Sequence, residues 1–101
     1  MTMTKTETAR TLLRNVIDPE LGLNIVDLGL IYDLRIDEQN RGYVLMTFTT
    51  MGCPISGMLV DGVYEALAPL DLADIKVDIT YSPPWSPELM SDEAKRRLGW
   101  G

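Results

Sequence analysis

Seven apolar or small residues, Ile55, Met58, Leu59, Gly62, Val63, Ala66 and Leu67, recur at i, i+3, i+4, i+7, i+8, i+11 and i+12. That spacing lines one face of a helix without interruption, and it predicts a helical run over 55–70 with Pro69 closing it. The segments on either side follow a different period. Leu30, Tyr32, Leu34 and Ile36 alternate with Asp33 and Arg35, and Val44, Met46 and Phe48 repeat the pattern after a polar turn at 37–42. Beyond the helix, Ile75, Val77 and Ile79 alternate with Lys76, Asp78 and Thr80. A period of two is that of a strand with one buried face. A helix stripe this wide, set between such strands, must close over a sheet.

The ends of the chain supply two more helices. Thr4-x-x-Glu7 matches a capping box, and Ala9, Leu12, Leu13 and Val16 continue it at helical spacing over 5–16. Asp18-Pro19 stops that helix, because proline disfavours helical geometry in the residue before it. The segment 20–27 reads as a loop containing glycine and asparagine. Pro83-Pro84-Trp85-Ser86-Pro87 reads as an extended surface loop, and 91–98 as a last helix with acids early, bases late and Gly99 as the stop. The order is therefore α-β-β-α-β-α in one domain spanning 1–101. The expected fold class is α+β, a two-layer sandwich with a three-stranded mixed sheet packed against helices. The first strand of the hairpin is expected in the middle of the sheet.

Composition narrows function mainly by exclusion. A formal charge of −6 argues against a nucleic-acid backbone or an anionic membrane as partner. No apolar run reaches about 18 residues, and the first residues lack the apolar stretch of a signal peptide. One cysteine excludes an internal disulfide framework, so the chain reads as cytoplasmic and reduced. With no histidine, neither a Ser–His–Asp triad nor a Cys–His pair can form, and the expectation is that the chain is not an enzyme. Gly57 and Gly62 lack the Lys and Ser/Thr of a phosphate-binding loop.

That one cysteine, Cys53, stands in Thr49-Thr50-Met51-Gly52-Cys53-Pro54, between the second strand and the long helix. Proline is well tolerated as a first helical residue, which puts the thiol at a helix N-terminus, where free amides and the helix dipole favour a thiolate. The plain alternative is a small buried hydrophobe. If Ile36 faces Tyr43 across the turn, paired numbers sum to about 79, within a residue or two, so Leu30 faces Thr49, and Asp27 lies near Gly52 and Cys53. Asp27, Thr49, Thr50 and Cys53 then become neighbours, although Thr49 and Thr50 point to opposite sides. A carboxylate opposes the helix end by raising the thiol pKa. Carboxylate and thiolate together suit a divalent iron ion. For Asp27 the alternative is a loop-capping side chain, and for the threonines simple β-propensity.

The residues also carry a resemblance. Asp18-Pro19-Glu20, then 24–32 (Asn-Ile-Val-Asp-Leu-Gly-Leu-Ile-Tyr), Thr49-x-x-x-Cys53-Pro54 and 83–91 (Pro-Pro-Trp-Ser-Pro-Glu-Leu-Met-Ser) resemble the PaaD/SufT-like metal–sulfur cluster assembly family. The ordered set covers nearly the whole chain past residue 9. The resemblance implies a small α+β domain that matures iron–sulfur proteins as a carrier, adaptor or late targeting factor. It implies Cys53 as the functional thiol and metal ligand, an acidic loop at Asp18, Glu20 and Asp27, and strand-end threonines at Thr49 and Thr50. The cargo would be a transient iron ion or iron–sulfur cluster, and the partners an iron–sulfur scaffold or client apoproteins. These 101 residues contain neither the cysteine-rich extension of PaaD proper nor the fused nucleotide-binding domain of other relatives, so a stand-alone SufT-type member is expected.

Trp85 has two readings: a core residue covering the sheet edge, or, with Leu89 and Met90, the mouth of a pocket around Cys53. Two further functions compete with cluster assembly. One is a thiol enzyme with Cys53 as nucleophile, which the missing histidine disfavours; the other is an interaction module with a structural cysteine. One cysteine per chain fits a homodimer bridging a cluster through two thiolates, and equally a monomer that hands its cargo on.

Overall fold

The Thr4 hydroxyl oxygen accepts the Glu7 amide at 3.1 Å and meets the Glu7 carboxylate at 3.2 Å, and helix α1 (Lys5–Leu13) begins there. The structure, a computed structural model, describes residues 4–49 and 56–99. α1 ends three residues earlier than its apolar spacing predicts. The amides of Arg14, Asn15 and Val16 turn back to the carbonyls of Thr11, Leu12 and Leu13, tightening the last turn before Asp18-Pro19.

The predicted loop at 20–27 contains a small β-ladder instead. Strand β1 (Ile17–Asp18) pairs antiparallel with β2 (Leu23–Asn24). The turn between them closes because Gly22 takes φ +71°, donates to the Asp18 carbonyl at 2.8 Å, and leaves the Asp18 carboxylate to bind the loop amides.

The main sheet is three-stranded and mixed, as expected. β3 (Ile31–Ile36) pairs antiparallel with β4 (Arg41–Met46), and β4 pairs parallel with β5 (Asp74–Ile79). The middle strand is β4, which corrects the expectation that the first hairpin strand would be central. The chain leaves β4 through helix α2 (Ser56–Leu67) and returns in β5 directly beside it, in step from Arg41↔Asp74 to Met46↔Ile79. A single crossover between adjacent parallel strands leaves β3 on the other side of β4.

The register falls within a residue or two of the expected one. Arg35 faces Tyr43 and Ile36 faces Gly42, one residue from the expected pairing, and a bulge between Ile31 and Asp33 shifts it once more. Leu30 is consequently beside Thr47, whose amide donates to the Leu30 carbonyl at 2.9 Å, and not opposite Thr49.

The core lies between the sheet and the helices. Leu13 of α1, Leu34, Val44 and Met46 of the sheet, and Leu59, Val63 and Leu67 of α2 are all buried. Full burial of each such side chain contributes roughly 1.5–3 kcal/mol. The α2 stripe is not uniformly core: Met58 is 54% exposed, because the helix packs along its Leu59–Val63–Leu67 line. Ile55 lies outside the described residues. Helix α3 (Asp92–Arg97) follows the predicted pattern, with Ser91 as cap accepting from the Ala94 amide.

Candidate functional site

The loop between β2 and β3 is held by a reciprocal side-chain clamp. Asn24 accepts the Asp27 amide on its Oδ1 at 2.9 Å and donates from Nδ2 to Asp27 Oδ2 at 2.7 Å. The first bond is that of an N-cap, and the second ties the two side chains together across one helical turn. The turn continues with the Leu28 amide donating to the Asn24 carbonyl and ends at Gly29, with φ +77°.

A second segment straps this loop from outside. The chain after β5 runs through a cis Ser82–Pro83 bond, and the indole N–H of Trp85 donates to the Leu28 carbonyl at 2.7 Å. The Ser91 amide donates to the Asp27 carbonyl at 2.7 Å, and Tyr32 Oη donates to the Pro83 carbonyl at 2.8 Å. Between them the Leu89 backbone lies directly on Gly29, so close that any Cβ at 29 would overlap the Leu89 carbonyl. Met90 is buried beneath the strap, while Leu89 is exposed. Trp85 is half-buried and packs on the core, and its polar edge also pins the loop that carries Asp27.

The acidic residues occupy three different environments. Asp18 is 2% exposed, and its Oδ1 accepts the amides of Glu20 at 2.8 Å and Leu21 at 3.4 Å. It is a loop-shaping acceptor. Asp27 is half-buried and lines a cleft of about 130 Å³ with Asn24, Gly22, Glu93 and Arg97, facing α3. Glu20 is exposed. Among the described residues no three Asp, Glu, Cys or His side chains gather into a metal-binding set. Asp18, Glu20 and Asp27 thus occupy one loop system, as the acidic-loop expectation has it, in three different environments. Thr49 is half-buried at the end of the stretch that follows β4. Cys53 and Thr50 lie outside the described residues.

Sequence reasoning passed over four participants. Asn24 was legible as a helix-capping residue type at the start of the turn. Gly29 and Ser91 act through contacts with residues remote in the chain, which no local pattern encodes. Thr47 is fully buried, and its hydroxyl has no hydrogen-bond partner among the described residues.

A strapped acidic loop beside a β-hairpin that feeds a helix defines the architecture of a known class. Residues 6–79 match the model of the iron–sulfur cluster assembly protein family, and the chain belongs to that family. It is 48% identical over 88 residues to the Fe–S protein maturation auxiliary factor YitW of Bacillus subtilis, covering 86% of each chain. It is 46% identical to the Fe–S protein maturation auxiliary factor SufT of Staphylococcus aureus, covering 83% of this chain and 97% of that one. The crystal structure of a domain of unknown function from Bacillus anthracis superposes with a TM-score of 0.90 at 42% identity, covering 94% of this chain and 92% of the other.

Proposed function

We propose that this protein is a maturation factor for iron–sulfur proteins, working as a carrier, adaptor or late targeting factor centred on the Cys53 thiol. The observation that supports this most is the family match over 6–79, which includes Cys53, together with two relatives named as Fe–S protein maturation auxiliary factors. The reading treats iron or an iron–sulfur cluster as cargo, not as a resident cofactor, and an iron–sulfur scaffold or client apoprotein as partner. It assigns no catalysis: the chain contains no histidine to pair with the thiol. It places the protein in the reducing cytoplasm, in keeping with one unpaired cysteine. No helix among the described residues is long and apolar enough to cross a membrane.

In this reading Asp18, Glu20, Asp27, Thr49, Thr50 and Trp85 make up the pocket that serves the thiol. A thiolate supplies one soft ligand, and further ligands come from the partner. The test is complementation of a deletion strain, read as the activity of cluster-dependent enzymes. Cys53→Ser folds normally by circular dichroism and fails to restore those activities. Full restoration by Cys53→Ser would refute the role of the thiol. Anaerobic reconstitution with iron and sulfide separates a carrier, which gains a Cys53-dependent visible chromophore, from an adaptor, which does not.

A further inference from the structure

β5 forms one rim of the sheet, and among the described residues no strand lies beyond it. Its hydrogen-bonding polarity follows from the ladder. The Thr80 amide donates to the Met46 carbonyl at 2.9 Å while Met46 is in register with Ile79. In a parallel pair the residues flanking the partner make the bonds, so Lys76, Asp78 and Thr80 bond inward to β4. The amides and carbonyls of Ile75, Val77 and Ile79 therefore point outward from the rim. Such a row is a template for another strand, and proteins normally blunt it with proline, a bulge or an inward-facing charge. β5 has none of these: it is regular over its full length, Ile75 and Val77 pack on the core, and Ile79 continues their face, while its charges, Asp74, Lys76 and Asp78, all lie on the other face. Ile79 is nevertheless 40% exposed.

We propose that β5 is a self-association edge, pairing antiparallel with β5 of a second copy across a two-fold axis through Val77. The residue pattern selects this partner and this register. Centred on Val77, the pairing sets Val77 against Val77 and Ile75 against Ile79 on the core-facing side, which covers the exposed Ile79. These odd-numbered residues are the ones with outward amides and carbonyls, so each opposed pair can exchange two backbone hydrogen bonds. On the other face the same register puts Lys76 opposite Asp78 twice, at the closer, non-hydrogen-bonded positions. Centred instead on Lys76, the strands would oppose Lys76 to Lys76 and Asp74 to Asp78, both like-charged. Centred on Ile75, only residues 74–76 would overlap. Within one chain Lys76 Nζ is 3.9 Å from Asp78 Oδ2, with the side chains 70% and 43% exposed, and Asp78 also holds a side-chain hydrogen bond with Tyr43, so the cross-strand pairs extend an existing charged row. The result is an isologous dimer with one continuous six-stranded sheet, in which the partner is a second copy because the strand is complementary to itself.

Sedimentation equilibrium on the reduced, chelator-treated protein tests this, with Cys53→Ser run in parallel to remove any thiol-bridged species. The expected result is a concentration-dependent dimer in both proteins. Lys76→Asp, which turns both cross-strand pairs repulsive, weakens the dimer at least about tenfold. The charge-swapped double variant, Lys76→Asp with Asp78→Lys, restores it. Amide exchange gives a readout that folding defects do not mimic. The Ile75, Val77 and Ile79 amides gain protection as protein concentration rises, whereas those of Lys76 and Asp78 are protected throughout. A wild type that stays monomeric to its solubility limit overturns the proposal, including one that instead accepts a foreign extended peptide on this edge. A dimer indifferent to the Lys76 charge overturns it too.

Discussion

Gly29 and Thr47 show how much one atom can decide. Gly29 meets two demands at once, a φ of +77° and the Leu89 backbone where a Cβ would stand. Gly29→Ala therefore either displaces the strap or strains the loop, and we expect a loss of more than about 3 kcal/mol in urea denaturation. A loss below about 1 kcal/mol, the ordinary cost of left-handed backbone alone, would mean the strap moves aside freely. Thr47 is the opposite case. Its hydroxyl is buried without a partner among the described residues, and such a group carries a desolvation penalty. Thr47→Val keeps the shape and removes the oxygen, so stability should rise by up to about 1 kcal/mol in the same assay. A clear destabilisation would show the hydroxyl to be bonded to something beyond the described residues. Neither position could be read from the sequence, because a close backbone approach and an orphaned hydroxyl are properties of packing between distant segments.

At the scale of elements, the strap and the hairpin are held by different physics. The strap depends on a few directional bonds, among them the part-buried bond from the Trp85 indole to the Leu28 carbonyl. Trp85→Phe retains most of the apolar contact and loses the donor, leaving that carbonyl unpaired. The expected cost is about 1–2 kcal/mol, with the amides of 25–30 losing exchange protection before the sheet does. Uniform loss across the protein would argue against a local clamp. The hairpin turn rests on Asp37, whose carboxyl is held below its ordinary 3.8 first by the Arg41 amide, and also by the Arg41 guanidinium at 2.9 Å and the Gln39 amide. A lowered folded-state pKa means stability that is present above 3.8 and lost as pH falls through the lower folded value. Asp37→Asn should thus be less stable than wild type at neutral pH, with the difference closing in acid; a gap that persists at the lowest pH would assign the effect to geometry, not charge. The turn itself was legible as the polar stretch 37–42, and the strands as alternation. The β1–β2 ladder was not, since two-residue strands have no periodicity to detect.

For the whole molecule, local periods determined the number and kind of elements but not their arrangement. Ile75, Val77 and Ile79 show a buried face whichever neighbour β5 takes, so strand order had to come from the crossover. A one-residue offset at the turn and the bulge between Ile31 and Asp33 together moved Leu30 from Thr49 to Thr47. The acidic loop was legible as a motif, while the environment of each carboxylate was not: Asp18 binds the amides of its own turn and Asp27 faces α3. Electrostatics at this scale is governed by the net charge of −6. The four ion pairs among the described residues all involve exposed side chains, and such pairs contribute little. The balance at neutral pH is therefore repulsive, and added salt should stabilise by screening it, the Debye length shrinking from about 30 Å at 0.01 M to about 8 Å at 0.15 M. We expect Tm at pH 7 to rise by roughly 2–4 °C over that range, corresponding to about 0.5 kcal/mol for a domain of this size. The effect should fade as pH approaches the isoelectric point near 4.4, where the repulsion is gone. A Tm that falls with sodium chloride at pH 7 would instead mean that the attractive pairs outweigh the excess of fifteen acidic over nine basic residues.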